Sequence, residues 1–121
     1  GNVTEFLDPV FSSGVTLASV SAQMASKLVI RHLKGEQVDW QQEYMNPMMK
    51  GIDVFRTYVN GWYDGSLHNI FFAPDPDKTI MSQICSVLAG YVWDETNPFV
   101  AKHEKNVRTL SNFLAAKKTM A

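Results

Sequence analysis

Two serines and a glycine stand directly before the first long helical pattern, in the segment FLDPVFSSGV that runs from Phe6 to Val15. A Ser-Ser-Gly sequence at a helix start leaves the first backbone N–H groups without intrahelical partners and points the positive end of the helix dipole outward. Gly14 allows close approach to the backbone, Pro9 stiffens the approach, and Asp8 can accept backbone N–H groups. A plain N-cap is the commoner outcome, and a preformed anion-binding turn is the alternative.

Other residues with chemical potential show no catalytic or metal-binding spacing. His32, His68 and His103 fall in different predicted elements without paired spacing, which favours surface or hydrogen-bonded core histidines over a metal site. Cys85 lies within an apolar helical pattern and is predicted to be a buried small hydrophobe and not a nucleophile. No histidine stands at a sequence spacing from the serines of the opening turn that would indicate a catalytic pair, so the pattern argues against a hydrolase triad.

The elements that position these residues belong to one domain of ordinary composition. At 121 residues and 45% hydrophobic, the chain is long enough for one domain with a core. Its net charge of −1 argues against nucleic acid and against an anionic membrane surface. The sequence has a single cysteine and no leader-like or spanning apolar segment, so we expect a cytoplasmic protein that does not insert into a membrane.

Helical periodicity dominates the first half of the chain. A first helix is predicted from Val15 to Leu33, with Ser12 or Ser13 as its N-cap and Gly35 as its stop. A second helix is predicted from a capping-box pattern at Asp39 and Gln42, with apolar residues at helical spacing as far as Trp62. We expect Pro47 to kink this helix near Glu43 or Tyr44.

The second half of the chain repeats one device, a capping residue followed by proline. The string YDGSLHNIFF is predicted to be a loop or a short helical turn. A third helix is predicted with Asp75 as cap, Pro76 at the first position and an end between Leu88 and Gly90. A fourth is predicted after Asn97 and Pro98, running to Leu114. The pattern therefore indicates a mainly α fold, a bundle of four to five helices.

The first 25 residues resemble the second flavin motif of FAD-dependent monooxygenases and, more closely, of flavin-dependent halogenases and halogenase-like dehydrogenases. In that family a Gly-Asp pair at a strand end is followed by Asp-Pro, two variable positions, Ser-x-Gly and a long helix. The matching positions here are Gly1 and Asn2, then Asp8 and Pro9, then Ser12, Ser13 and Gly14. The agreement of spacing and residue type is specific by the standards of short motifs.

The resemblance implies that the chain is the carboxyl-terminal fragment of a larger α/β FAD-binding protein. Residues 1–14 would be the second flavin motif, and residues 15–121 the helical carboxyl-terminal region. Asn2 stands where the family has an acid that bonds the ribityl chain of FAD, and Pro9 would neighbour the isoalloxazine ring. The amides of Ser13 and Gly14 would face the N1/C2 edge of the flavin or, in halogenases, a halide.

The remaining helices resemble those that cover the flavin and the substrate entrance in halogenase-like proteins. The resemblance implies a wall for an apolar or aromatic small-molecule substrate. Its leading candidates are Trp40, Tyr44, Trp62 and Trp93, accompanied by Tyr63, Phe71, Phe72 and Tyr91. Ordinary core is the alternative for aromatic residues at helical spacing.

We therefore expect the parent protein to be an FAD-dependent, halogenase-like oxidoreductase that oxidises halide or an organic substrate. The missing partner would be an amino-terminal FAD-binding domain, without which the fragment is expected to be inactive and to self-associate through exposed apolar surface. Two alternatives stay open. One is a non-halogenating flavin monooxygenase or dehydrogenase, and the other is a stand-alone helical interaction module.

Overall fold

The computed structural model describes Leu7 and residues 13–120, and every regular element in this part of the chain is helical. The helices are α1 (Ser13–Leu33), a π-helical segment (Gln41–Met45), α2 (Asn46–Tyr63), α3 (Ser66–Phe71), α4 (Lys78–Leu88), α5 (Pro98–Ala101) and α6 (His103–Met120). The predicted mainly α fold is confirmed. Four of these helices are long and two are short. The chain divides between Asp53 and Val54 into two compact units, called unit 1 and unit 2 here.

Helix α1 ends where the sequence pattern predicts, because Gly35 closes it. Gly35 has a φ of +86°, a conformation that glycine adopts without steric cost. Its N–H donates to the carbonyl of His32 at 3.0 Å, and the N–H of Glu36 donates to that of Arg31 at 3.1 Å. These two bonds form a Schellman motif. At its other end α1 begins at Ser13, two residues before the predicted start.

The entry to α2 is held by Asp39 and contains an irregular turn. The Asp39 carboxylate accepts from the N–H groups of Gln41 and Gln42, both at 3.1 Å. The reciprocal bond of the capping box comes from Glu43, whose carboxylate accepts from the Asp39 N–H at 3.2 Å. The π-helical segment covers the residues where a kink is predicted and ends shortly before Pro47. Proline lacks the N–H that a regular α-helix would use there, and a π turn is one way to absorb this.

A surface cluster joins the end of α1 to the π-helical segment. Arg31 donates from Nε to Glu36 at 2.8 Å and from Nη1 to Glu43. These bonds to Arg31 lower the pKa of the Glu43 carboxyl. His32 and Trp40 form an edge-to-face contact in the same unit, with ring centroids 6.5 Å apart. Because the side chains of Arg31, Glu36 and Glu43 are partly exposed, the cluster does not form a core. Its role is to orient the chain that follows α1.

Two predicted boundaries in unit 2 are wrong. Helix α4 begins at Lys78 and is capped by Asp77, whose carboxylate accepts from the Ile80 N–H at 2.9 Å. Asp75, the predicted cap, instead adopts a φ of +50° in the preceding turn. The predicted fourth helix is two helices, because Lys102 leaves helical geometry with φ −132° and ψ 48° between α5 and α6.

Unit 2 has a core to which all of its helices contribute. Helix α6 packs on α3 and α5, and α4 packs on α5. The least exposed apolar residues are Tyr58, Leu67, Ile70, Ile84, Val87 and Val92. Gly61 permits α2 and α3 to approach, since a Cβ there would lie 3.3 Å from Leu67. Cys85 is exposed, contrary to prediction, because Ile84 and Val87 are the residues of α4 that face this core.

Candidate functional site

The start of α1 is the part of the predicted flavin turn that the structure describes. Ser13 is the first residue of α1 and is 1% exposed. Its Oγ is buried and has no hydrogen-bond partner among the described residues. Gly14 follows and is half-buried. The other predicted contacts, Asn2, Asp8, Pro9 and Ser12, lie outside the described residues and stay predictions.

The electrostatics of this helix start favour an acceptor or an anion. The first turn of α1 contains no acidic side chain, and no charged residue occurs in the helix before Lys27. The first amides of any α-helix lack intrahelical acceptors and carry the positive end of the dipole. A buried hydroxyl without a partner is unfavourable, so a polar group that reaches it would gain free energy by bonding to it. The described residues therefore fit a carbonyl edge or a small anion.

At two other helix starts, those of α4 and α5, a side chain of the chain itself binds a backbone N–H group. The Asp77 carboxylate binds the Ile80 N–H at the start of α4. The Asn97 side chain accepts from the Phe99 N–H at 2.9 Å at the start of α5. Each of these caps uses a side chain for the bond that a ligand would otherwise make. The helix starts of α4 and α5 are thus structural.

The predicted substrate wall is divided between the two units. Trp40 and Tyr44 belong to unit 1, where Trp40 is 40% exposed and Tyr44 is half-buried. Trp62 and Trp93 belong to unit 2, and both are half-buried. None of the four is fully buried, so each retains surface that a ligand could contact. Their role in substrate binding stays a prediction.

A stack of three rings in unit 2 goes beyond the sequence-based expectation for His68. The imidazole of His68 lies 4.5 Å from the Trp62 ring and 6.1 Å from the Phe72 ring, measured between centroids. Its Nδ1 is buried and has no partner among the described residues. The sequence pattern predicts surface or hydrogen-bonded core histidines, and His103 is hydrogen-bonded, because its Nδ1 lies 2.7 Å from the Thr57 hydroxyl. The spacing Trp62, His68, Phe72 could have suggested the stack only if α3 had been identified as a helix.

Described residues of unit 2 line several surface clefts of modest volume. One of about 330 Å³ is lined by residues that include His68, Phe72 and Lys118. A second of about 290 Å³ includes Phe113, and a third of about 210 Å³ is polar and includes Arg108. Neither Trp62 nor Trp93 lines any of these three clefts.

The described residues contain neither a metal-binding cluster nor a membrane-spanning helix. No three side chains among histidine, cysteine, aspartate and glutamate come close enough together there to hold a metal ion. None of the helices in this part of the chain combines the length and the apolar character that a membrane span requires.

Comparison with known proteins shows a similarity to a solved structure. No family model matches the chain, and no curated protein does. The crystal structure of a flavoprotein/dehydrogenase from Cytophaga hutchinsonii is similar at 52% sequence identity and a TM-score of 0.94. The similarity covers 98% of this chain and 29% of that protein. The chain thus has the fold of one part of a larger flavoprotein and spans less than a third of that protein's length.

Proposed function

We propose that this chain is part of a larger FAD-dependent oxidoreductase and that the start of α1 contacts the flavin. The observation that carries the proposal is the 52% identity to part of a flavoprotein/dehydrogenase. The buried Ser13 hydroxyl, which has no partner among the described residues, supports the location of the contact, because Ser13 lies within the Ser-x-Gly of the flavin motif. The missing partner is the FAD-binding domain of the same protein.

The residues of α1 would act on one edge of the cofactor. The amides of Ser13 and Gly14 would donate to the N1/C2 edge, where negative charge develops when the flavin accepts electrons, and the dipole of α1 would stabilise that charge. FAD, when bound, supplies the electron or hydride transfer chemistry. Among the undescribed residues, Asn2 would bond the ribityl chain as a neutral group, Asp8 would brace the turn, and Pro9 would lie beside the ring.

Dehydrogenation is the reaction that the comparison favours, and halogenation is the alternative that the motif favours. The similar protein is described as a flavoprotein/dehydrogenase. The motif is shared with halogenases, in which the same turn would hold a halide. In either case an apolar or aromatic substrate would meet side chains such as Trp62 and Trp93, which keep partly exposed surface.

The test is to express the full coding sequence that contains these residues and to identify its bound cofactor. We expect it to purify with FAD, recognised by its visible absorption and by chromatography of the released compound. A full-length protein that folds but binds no flavin, even after addition of excess FAD, would contradict the proposal. Substrate-dependent bleaching of the flavin without oxygen would indicate dehydrogenation, whereas product formation that requires both halide and oxygen would indicate halogenation.

The 121-residue chain alone is expected to bind FAD weakly or not at all. A helix start that touches one edge of a cofactor supplies only a small part of the contact area that tight binding needs. Calorimetric titration of this chain with FAD should therefore show no micromolar binding. Micromolar affinity would mean that the flavin site is formed by these residues without the missing domain.

A further inference from the structure

Helix α1 has two uncharged faces on opposite sides, and only one of them is covered. The covered face contains Leu17, Ser21 and Leu28. The opposite face, called the open face of α1, is exposed along its whole length and consists of Val15, Ser19, Ala22, Ser26, Val29 and Leu33. These residues are spaced alternately four and three apart, which places them in one line along the helix. That line is roughly 27 Å long at 1.5 Å per residue.

The open face has the composition of a buried surface and not of a solvated one. Val15 and Leu33 at its ends are 72% and 79% exposed, and Val29 is 43% exposed. The helix contains no acidic residue, and its charged residues Lys27 and Arg31 lie off the open face. A helix that faces water normally carries charged and polar residues on that side, whereas one that is apolar all round is buried. Depletion of charge is also the mark of an interface centre.

The length of the similar flavoprotein identifies the occupant. More than two thirds of that protein lies outside the part that this chain matches. A second copy of this chain is a poorer occupant, because a stable dimer buries roughly 1,200–2,000 Å² and the middle of the open face offers only Ser19, Ala22 and Ser26. A segment of the same polypeptide needs no such area, since it is held at high effective concentration.

We infer that the open face of α1 packs against the remaining, flavin-binding part of the longer protein. The small residues at its centre allow a close backbone approach there, and the branched residues at its ends supply apolar contact. Helix α1 would then be an interior helix that is packed on both faces, and Ser13 at its start would contact the flavin. This inference rests on the proposed function for the identity of the partner.

The test is thiol labelling of single cysteines on two sides of α1, in a background in which Cys85 and every cysteine of the longer protein outside these residues are replaced by serine. Ala22→Cys probes the open face, and Lys27→Cys is the matched control, exposed on the same helix but away from that face. In the 121-residue chain both thiols should react with a maleimide at similar rates. In the full coding sequence the Ala22→Cys thiol should react at least about tenfold more slowly, since it is reached only through local opening. The Lys27→Cys rate should not change.

Each outcome decides the inference. Equal rates for the two thiols in the full-length protein would overturn it. Protection of Ala22→Cys in the 121-residue chain that increases with protein concentration would assign the face to a second copy and would also overturn it. The flavin content of the same preparations separates this from the proposed function. A flavin-loaded protein with a reactive Ala22→Cys refutes only the docking, and a protected Ala22→Cys without flavin refutes only the cofactor.

A second variant tests the same face without a thiol. Ala22→Glu places a charge on the open face. It should leave the thermal midpoint of the 121-residue chain unchanged within about 2 °C and lower that of the full-length protein by several degrees. Equal midpoints for Ala22→Glu and wild type in the full-length protein would contradict the docking.

Discussion

The turn around α5 and the start of α1 are both buried and polar, but they treat their polar groups differently. At α5 the Asn97 side chain accepts from the Phe99 N–H and donates to the Gln83 carbonyl at 2.8 Å. The Tyr58 hydroxyl donates to the Phe99 carbonyl at 3.0 Å. At α1 the Ser13 hydroxyl is equally buried and has no partner among the described residues.

The difference separates a structural centre from a candidate binding centre. Buried polar groups in folded proteins are nearly always hydrogen-bonded, and an exception calls for a reason. Around α5 the buried polar groups bond to one another, and these bonds fix the positions of α2, α4 and α5 where they cross. At α1 the chain leaves a buried hydroxyl without a partner among the described residues, which is the arrangement expected where a ligand or another part of the protein completes the site.

The largest effect is expected when the α5 centre is broken. Asn97→Ala removes an N-cap and leaves the Gln83 carbonyl without its donor, so we expect a loss of about 2–4 kcal/mol in the free energy of unfolding. Urea unfolding of the 121-residue chain measures this. Asn112→Ala, an exposed asparagine of α6, is the control and should change the value by less than about 0.5 kcal/mol. Equal effects from the two variants would show that Asn97 does not hold this centre.

The stability of the chain at alkaline pH tests the buried Tyr58 hydroxyl of the α5 centre. Burial raises the pKa of the Tyr58 phenol above its ordinary value. In the unfolded chain a tyrosine phenol ionises near pH ~10. The contribution of Tyr58 to the free energy of unfolding is therefore complete below that pH. It is lost as the pH rises further, by up to about 1.4 kcal/mol per pH unit. Tyr58→Phe should cost about 1 kcal/mol at pH 7 by losing its hydrogen bond.

The signature of Tyr58 is the difference between wild type and Tyr58→Phe across pH. That difference should shrink above pH 10 and then reverse, as measured by urea unfolding at several pH values. Tyr91→Phe, which removes an exposed hydroxyl, should follow wild type throughout. A constant difference between wild type and Tyr58→Phe up to pH 11 would contradict the burial of this phenol.

Much of the fold could be predicted from local patterns. The end of α1 follows from a glycine after an apolar helical run, and the start of α5 follows from asparagine before proline, since both depend on neighbouring residues alone. The start of α4 was misplaced because Asp75 and Asp77 are both competent caps only two residues apart. The exposure of Cys85 was missed because one residue along a helix is a turn of about 100°, enough to move a side chain from the core to the surface.

The candidate site could be predicted only in part. The segment around Ser13 was identified from motif spacing, but the missing partner of its hydroxyl depends on burial, which no short pattern reports. The stack of Trp62, His68 and Phe72 depends on α3 forming and packing, so it could not be read from spacing. The roles of Asn2, Asp8, Pro9 and Ser12 stay predictions.

The smallest stability effect is expected at the start of α1. Ser13→Ala in the 121-residue chain removes a hydroxyl that makes no bond, so the free energy of unfolding should stay within about 0.5 kcal/mol of wild type or rise slightly. Ser21→Ala is the matched control, a buried serine of the same helix whose hydroxyl donates to the Ala18 carbonyl at 3.0 Å. It should cost about 1 kcal/mol. A larger loss from Ser13→Ala than from Ser21→Ala would show that the Ser13 hydroxyl is satisfied within the chain.

The central claim, that the start of α1 contacts the flavin, is tested most directly by flavin affinity in the full coding sequence. Ser13→Asp places a negative charge where the flavin edge would accept hydrogen bonds, and Thr79→Asp places the same charge in the first turn of α4. We predict that Ser13→Asp weakens FAD binding at least about tenfold, or 1.4 kcal/mol, and that Thr79→Asp changes it less than about twofold. The milder Ser13→Ala should weaken it by less than Ser13→Asp. Wild-type FAD affinity in a folded Ser13→Asp protein would contradict the account.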